Sequence, residues 1–372
     1  MIPYEFEVKE MLEEAGITVE KSCLVSRKDK NYALCLESLS PPLVVKAQVR
    51  GWGRGKLGLV KFVKNKDEID KAISEIFDST YQGKRIEYVL VSEKVDVKRE
   101  LYLSLMVDQD KKAIMLLASL KGGIDVEEAA KDDAEILKMF IKPFEGVREY
   151  MVRRIAKFFG KDYEEIRNLL YGLYNIFTLY DMTLLEINPL IDTGEKLVAV
   201  DRKAIIDDDA LMQNPLLRGI AERYLNELSI VEKSSFEKGF NLVTLEGNIA
   251  VIGNGAGLTM ATMDLVKEYG GNPGIFLDLG GGASAERVFS ALKIVFSLEN
   301  IDRVLVNVLG GITRCDEVAK GIVKALEETD RKEIKVVVRL SGLYEDEGRR
   351  ILQEHGLYTH SDLIYAVKEV IR

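Results

Sequence analysis

Three groups of residues in the sequence have the types and spacing that chemistry needs. The first is Lys46, set within Leu43-Val44-Val45-Lys46-Ala47-Gln48-Val49 and followed by Gly51-Trp52-Gly53-Arg54-Gly55-Lys56. An unpaired ammonium is costly to bury, so a lysine in an apolar strand needs a partner. A phosphate oxygen is a natural one. The glycines allow close backbone approach, and Arg54 and Lys56 add charge suited to a polyphosphate. The loop is not a Walker A motif, because Arg50 and Leu57 stand where glycine and Ser/Thr are required and a strand follows instead of a helix. A strand, glycine loop and strand make a flap over a nucleotide. A surface hairpin with solvated charges is the plain alternative.

The second group is Glu186-Ile187-Asn188-Pro189 with Asp201. Residues two apart on a strand share a face. A two-residue turn at Thr193-Gly194 would set Asp201 directly across from Glu186 and diagonal to Asn188. Two carboxylates and an amide oxygen on one face call for a cation, and an oxygen-only set completed by phosphate suits Mg²⁺. Lys203 falls on the same face and could balance the charge instead, and a solvent-facing polar edge is the bland reading. The third group is glycine loops in the second half: Gly253-Asn254-Gly255-Ala256-Gly257, Gly280-Gly281-Gly282, Gly310-Gly311 and Ser341-Gly342. Helix-start amides in such loops accept anions. As a dinucleotide fingerprint the first is imperfect, with Leu258 where the third glycine belongs. Glycines that only allow tight packing are the alternative for each loop.

Composition narrows the field. The only histidines, His355 and His360, lie near the C-terminal end, in a helix end and turn that read as surface. A His-rich metal site is excluded, as is a Ser-His-Asp triad in the body of the chain. Acid-base chemistry must come from carboxylates, lysines, metal or a partner. Cys23, Cys35 and Cys315 show no Cys-x-x-Cys spacing, so neither a zinc framework nor a disulfide is expected, which suits a reducing compartment. A net charge of −9 argues against nucleic-acid and membrane-surface roles. No apolar run approaches the ~20 residues of a membrane span, and no signal segment opens the chain, so a cytoplasmic location is expected.

These groups need elements to position them. A helix is expected over 4–15, strands over 19–25, 43–49, 57–63, 88–93, 100–108 and 112–119, and a mostly helical stretch over 126–180. A hairpin over 186–201 and a helical stretch over 208–232 follow, and the domain boundary is expected near 235. Beyond it, apolar strands alternate with helices, which predicts a flavodoxin-like, doubly wound parallel sheet over 236–372 with its glycine loops at the strands' carboxyl ends.

Residues 1–235 and 236–372 together resemble the β subunit of succinyl-CoA synthetase, an ATP-grasp acid–thiol ligase. The match is carried by Val44 to Val49, Gly53-Arg54-Gly55-Lys56, Lys98-Arg99-Glu100-Leu101-Tyr102-Leu103, Glu186-Ile187-Asn188-Pro189-Leu190 and Asp201-Arg202-Lys203. Asn254-Gly255-Ala256-Gly257-Leu258, Phe276 to Gly282 and Gly310-Gly311-Ile312-Thr313-Arg314-Cys315-Asp316 extend it through the second half. The resemblance implies an α/β fold, with an N-terminal ATP-grasp domain of two α+β subdomains and then the flavodoxin-like CoA-ligase domain. It implies ATP/ADP (or GTP/GDP) bound by Lys46, Gly53, Arg54, Gly55, Ser92, Val95 and Glu100, and Mg²⁺ held by Asn188 and Asp201. Asn254, Gly311, Ile312 and Thr313 would contact the acid, and Glu186 would hold an incoming imidazole. The implied reaction, a step of the tricarboxylic acid cycle, converts succinyl-CoA, phosphate and NDP to succinate, CoA and NTP. A phosphohistidine on a partner α subunit, which also carries the CoA site, relays the phosphoryl group in an αβ or α2β2 assembly. Trp52, Arg50 and Ser92 depart from the family pattern, which bears on nucleotide choice; Glu93 adjoins Ser92. A ligase for malate or another short dicarboxylate, a dinucleotide-dependent oxidoreductase and a nucleotide-binding regulatory subunit are the competing readings.

Overall fold

In a computed structural model the described residues are 1–28, 32–51, 57–123 and 136–372. They form two compact units, Met1–Arg223 and Tyr224–Arg372. In the first unit, β1 (Ser22–Ser26), β2 (Leu43–Gln48), β3 (Val60–Val63) and β6 (Tyr88–Glu93) make a sheet ordered β1-β6-β2-β3, with a small hairpin, β4 (Thr80–Tyr81) and β5 (Lys84–Arg85), preceding β6. Leu43, Val45 and Ala47 of β2 pack with Ile69, Ile73 and Ile76 of the helix Ile69–Phe77. Period-two alternation therefore turns Val44, Lys46 and Gln48 to the opposite face.

A second sheet holds β7 (Arg99–Asp108), β8 (Ala113–Ser119), β9 (Ile136–Ile141), β10 (Met182–Asp192), β11 (Leu197–Ala199) and β12 (Arg202–Ile206). Its path is β11-β10-β7-β8-β9, with β12 also on β10. Part of the stretch expected to be helical is thus a strand: Ile136–Ile141 alternates buried and less buried residues and pairs with β8. The helices Glu149–Phe159 and Tyr163–Leu179 fill the rest. The stretch over 208–232 is interrupted, and Pro215 starts a separate short turn in it.

The β10 hairpin sets the geometry of the candidate site. Asp192 pairs with Leu197, so the connection is Thr193–Lys196 and longer than the two-residue turn expected. Asp192 anchors it: Lys161 Nζ lies 2.5 Å from Oδ1, Arg99 Nη2 lies 2.6 Å from Oδ2, and the Gly194 N–H donates to Oδ1 at 2.7 Å. Burial alone would raise this carboxyl. Its donors outweigh that and hold it at about 2. A depressed folded-state pKa stabilises the fold above the unfolded value and loses that stabilisation as pH falls toward 2. Asp192 is buried, and Asp192→Asn is therefore expected to cost about 2 kcal/mol near neutrality. Urea unfolding across pH should show the gap closing below about pH 4; a gap that stays constant would remove the ion-pair explanation.

Cys23 of β1 and Cys35 of the short helix Ala33–Glu37 form a disulfide, against the expectation from sequence. The expectation weighed only short Cys spacings. Here a helix returns onto a strand and joins thiols twelve residues apart, so these cysteines give no argument for a reducing compartment. Cys315 is a buried free thiol. Among the described residues no helix is long and apolar enough to cross a membrane.

The second unit has one sheet: β13 (Asn241–Thr244), β14 (Ile249–Gly253), β15 (Pro273–Asp278), β16 (Arg303–Gly310), β17 (Lys335–Gly342) and β18 (Thr359–His360), ordered β13-β15-β14-β16-β17-β18. All pairs are parallel except β13 with β15. Apart from that antiparallel edge the order is flavodoxin-like, as expected. Its switch point lies between β14 and β16, whose carboxyl ends lead to Asn254 and Gly311.

Candidate active site

Lys46 sits on an inner strand and is buried. Its partner in the chain is a carboxylate: Nζ donates to Glu5 Oε1 at 2.9 Å and to the Val200 carbonyl at 3.1 Å. The second bond matters most for the site, because Val200 precedes Asp201. Asp201 pairs with Asn188, not with Glu186: the Asn188 N–H donates to the Asp201 carbonyl at 2.9 Å. The same register sets Glu186 opposite Lys203, with 3.8 Å between their charges. The longer turn shifts the hairpin by an even step, so Glu186, Asn188 and Asp201 stay on one face as expected, with different opposites. On the neighbouring strand Glu186 faces Ser104, and Tyr102 follows on that face. Burial, and beyond it the Glu186 charge, push the Tyr102 phenol up.

Asn188 is gripped by a loop that sequence reasoning passed over. The Gly123 N–H donates to its Oδ1 at 2.5 Å, and its Nδ2 donates to the Gly123 carbonyl at 3.2 Å. Gly123 has φ +70°, and a Cβ there would lie 2.7 Å from Glu100 Oε2. Glycine is what lets Glu100 and Asn188 close on the same loop. The available signal is a glycine pair, Gly122-Gly123, separated by two residues from the end of a strand. Ser92 is buried on the Lys46 face of its sheet, opposite Val44, while Val95 is half-buried in the strand exit. Glu93 points elsewhere, accepting from the Ser40 N–H at 2.8 Å. Gly53, Arg54 and Gly55, with Trp52 and Lys56, lie outside the described residues.

Among the described residues no group of three or more His, Cys, Asp or Glu side chains gathers into a metal site. The Asn188–Asp201 pair still fits Mg²⁺, a hard cation that keeps several waters and takes one or two protein oxygens beside substrate phosphates. The Asn188 Oδ1 acceptor retains a second lone pair beyond its bond from Gly123.

In the second unit, Asn254 bridges the switch point. Its Oδ1 accepts from the Leu309 N–H at 2.9 Å, and its Nδ2 donates to the Leu309 carbonyl at 2.9 Å and to Thr313 Oγ1 at 3.1 Å. Thr313 Oγ1 also accepts from the Gly282 N–H at 3.0 Å. Three of the glycine loops thus meet at one buried hydroxyl. Both its lone pairs are used, so its remaining capacity is to donate a proton, which suits an anionic acceptor. Gly311 and Ile312 are exposed beside it. Asp278 accepts from the Gly280 N–H at 2.8 Å and holds its own turn. His355 and His360 sit near the surface with Glu327 and Glu369, at 3.6 Å and 2.6 Å.

Residues 3–192 match the ATP-grasp domain family, and residues 252–371 match the CoA-ligase family. The chain is 41% identical over 373 residues to a protein of Staphylothermus marinus named succinate–CoA ligase [ADP-forming] subunit beta, covering 99% of this chain and 97% of that one. It is 43% identical over 377 residues to the protein of the same name from Desulfurococcus amylolyticus, covering 99% and 98%. The chain belongs to the succinate–CoA ligase β-subunit family. As such it is an enzyme subunit, an acid–thiol ligase whose ATP-grasp domain takes a nucleotide substrate. A solved structure of ATP citrate lyase from Methanothrix soehngenii, with citrate and coenzyme A, superposes with a TM-score of 0.76 at 18% identity, covering 100% of this chain and 99% of that one. That likeness speaks for the fold alone. Within the ligase β-subunit family, the oxidoreductase reading of the second unit has no support.

Proposed function

We propose that this chain is the nucleotide-binding subunit of a succinate–CoA ligase. It would interconvert succinyl-CoA, phosphate and ADP (or GDP) with succinate, CoA and ATP (or GTP). One observation carries the reading of the first unit: Lys46 bonds the carbonyl next to Asp201, so a phosphate-binding ammonium and two oxygen donors adjoin. Lys46 would grip the nucleotide phosphates, together with Ser92, Val95, Glu100 and the segment Gly53, Arg54 and Gly55. Asn188 and Asp201 would hold Mg²⁺, which neutralises charge on a transferring phosphoryl group when bound. Glu186, half-buried beside Lys203, would orient an imidazole.

This reading takes that imidazole from another chain: His355 and His360 are paired locally with Glu327 and Glu369 near the surface of the second unit. A partner subunit carrying the CoA site and a phosphorylated histidine is the source this reading requires. Thr313 and the loop Gly311-Ile312 would receive the dicarboxylic acid, with the Thr313 hydroxyl donating to a carboxylate and Asn254 bracing that loop. The test is the chain assembled with its partner. Succinate is expected to support CoA-dependent ADP formation from ATP, while the isolated chain binds nucleotide and turns over little. Activity with malate but not succinate would change the substrate class, and full activity of the isolated chain would remove the partner histidine.

A further inference from the structure

We propose that Glu5 is a positioning residue for nucleotide binding: one carboxylate oxygen clamps Lys46 of β2 to Arg202 of β12, and so fixes the phosphate-gripping ammonium against the Asp201 strand. This rests on the reading of Lys46 and Asp201 given above. Glu5 is buried in the first turn of the helix Glu5–Glu14. Its Oε1 accepts from Lys46 Nζ at 2.9 Å and from Arg202 Nη2 at 3.4 Å, while Oε2 accepts from Gln48 Nε2 at 3.5 Å. The oxygen thus touches both arms of the site.

The support beneath it is firm. The Phe6 N–H donates to Gln48 Oε1 at 3.1 Å, and Tyr4 and Phe6 pack with Leu90 of β6. An ammonium has three N–H donors on a flexible four-carbon stem. Glu5 and the Val200 carbonyl take two of them and fix the direction of the third. What remains is one aimed donor instead of a mobile point charge, and pre-oriented donors are what phosphoryl transfer uses.

A double-mutant cycle in the assembled two-subunit enzyme tests this. Glu5→Gln keeps the shape and removes the charge. It is expected to lower kcat/KM for ADP about tenfold, the scale of one charge-assisted hydrogen bond, and to leave KM for succinyl-CoA within about twofold. Lys46→Met should lower kcat/KM for ADP about a hundredfold or more. If Glu5 acts through Lys46, adding Glu5→Gln to Lys46→Met costs less than about twofold more. Multiplicative losses, or an equal rise in KM for ADP and succinyl-CoA, would overturn the positioning role. So would a silent Glu5→Gln beside a damaging Lys46→Met. A silent Lys46→Met instead removes the nucleotide reading of Lys46, and the inference with it. Should Glu5→Gln fail to assemble, Glu5→Asp in the same cycle keeps the charge on a shorter arm. Coupling to Lys46 is still expected there, and its absence overturns the proposal.

Discussion

Asp201→Ala is expected to lower kcat of the assembled enzyme about a thousandfold at saturating nucleotide, the scale seen when one preorganised electrostatic group is removed from a reacting centre. Asp201 is the charged member of the Asn188–Asp201 pair, and among the described residues no group of three or more His, Cys, Asp or Glu side chains offers another metal site. The alternative cation on this face is Lys203, whose ammonium lies toward Glu186 at 3.8 Å. If Lys203 served as the counter-charge, losing Asp201 would cost little and losing Lys203 would cost the reaction. Initial rates across a Mg²⁺ titration separate the two. The metal reading expects the Asp201→Ala enzyme to need much more Mg²⁺ and to stay slow at saturation. Wild-type rates at ordinary Mg²⁺ would end the assignment. Nucleotide affinity should fall much less, because Lys46 is held by Glu5 and the Val200 carbonyl and keeps its place.

The parts of this site legible in the sequence are those fixed by period and order. Lys46 among valines announces a lysine on one face of a buried strand. Asn188 and Asp201 share a face because any even change in turn length preserves side-chain parity. The second unit's doubly wound sheet, with glycine loops at its strands' carboxyl ends, follows from strand-helix alternation. The illegible parts are those made by side chains meeting across long separations. Glu5, Glu20 and Arg202 carry no spacing signal toward one another, and an acidic residue on a helix's apolar face is ordinarily taken for a solvated one. Thr193-Gly194 reads as a two-residue turn, but Asp192 is tied down by Lys161 and Arg99 from outside the hairpin, which lengthens the connection. The Cys23–Cys35 bond is illegible for the same reason as the Glu5 clamp: tertiary return of a helix onto a strand leaves no short-range spacing signal.

Arg202→Met is expected to destabilise the first unit by about 3–5 kcal/mol, the cost of removing one partner from a buried ion pair. Arg202 and Glu20 are fully buried, and Arg202 Nη2 donates to Glu20 Oε1 as well as to Glu5. Without the guanidinium, Glu20 keeps a charge that burial already disfavours: its carboxyl is pushed up by desolvation even with Arg202 beside it. Glu5 suffers less, since Lys46 still pairs with it. The pair itself is not an efficient stabiliser. Among the described residues Arg202 Nε, Arg202 Nη1 and Glu20 Oε2 are buried without hydrogen-bond partners. A buried pair with unmet valences gains little over apolar side chains of similar size. The double variant Arg202→Met with Glu20→Leu should therefore recover most of the lost stability in urea unfolding. It should not recover the placement of Asp201, because Arg202 Nη2 also donates to the Val200 carbonyl at 3.0 Å, the same oxygen that Lys46 grips. A stable double variant with a depressed kcat/KM for ADP would show that the charges are kept for geometry. A double variant as unstable as Arg202→Met alone would instead assign the loss to packing around residue 202.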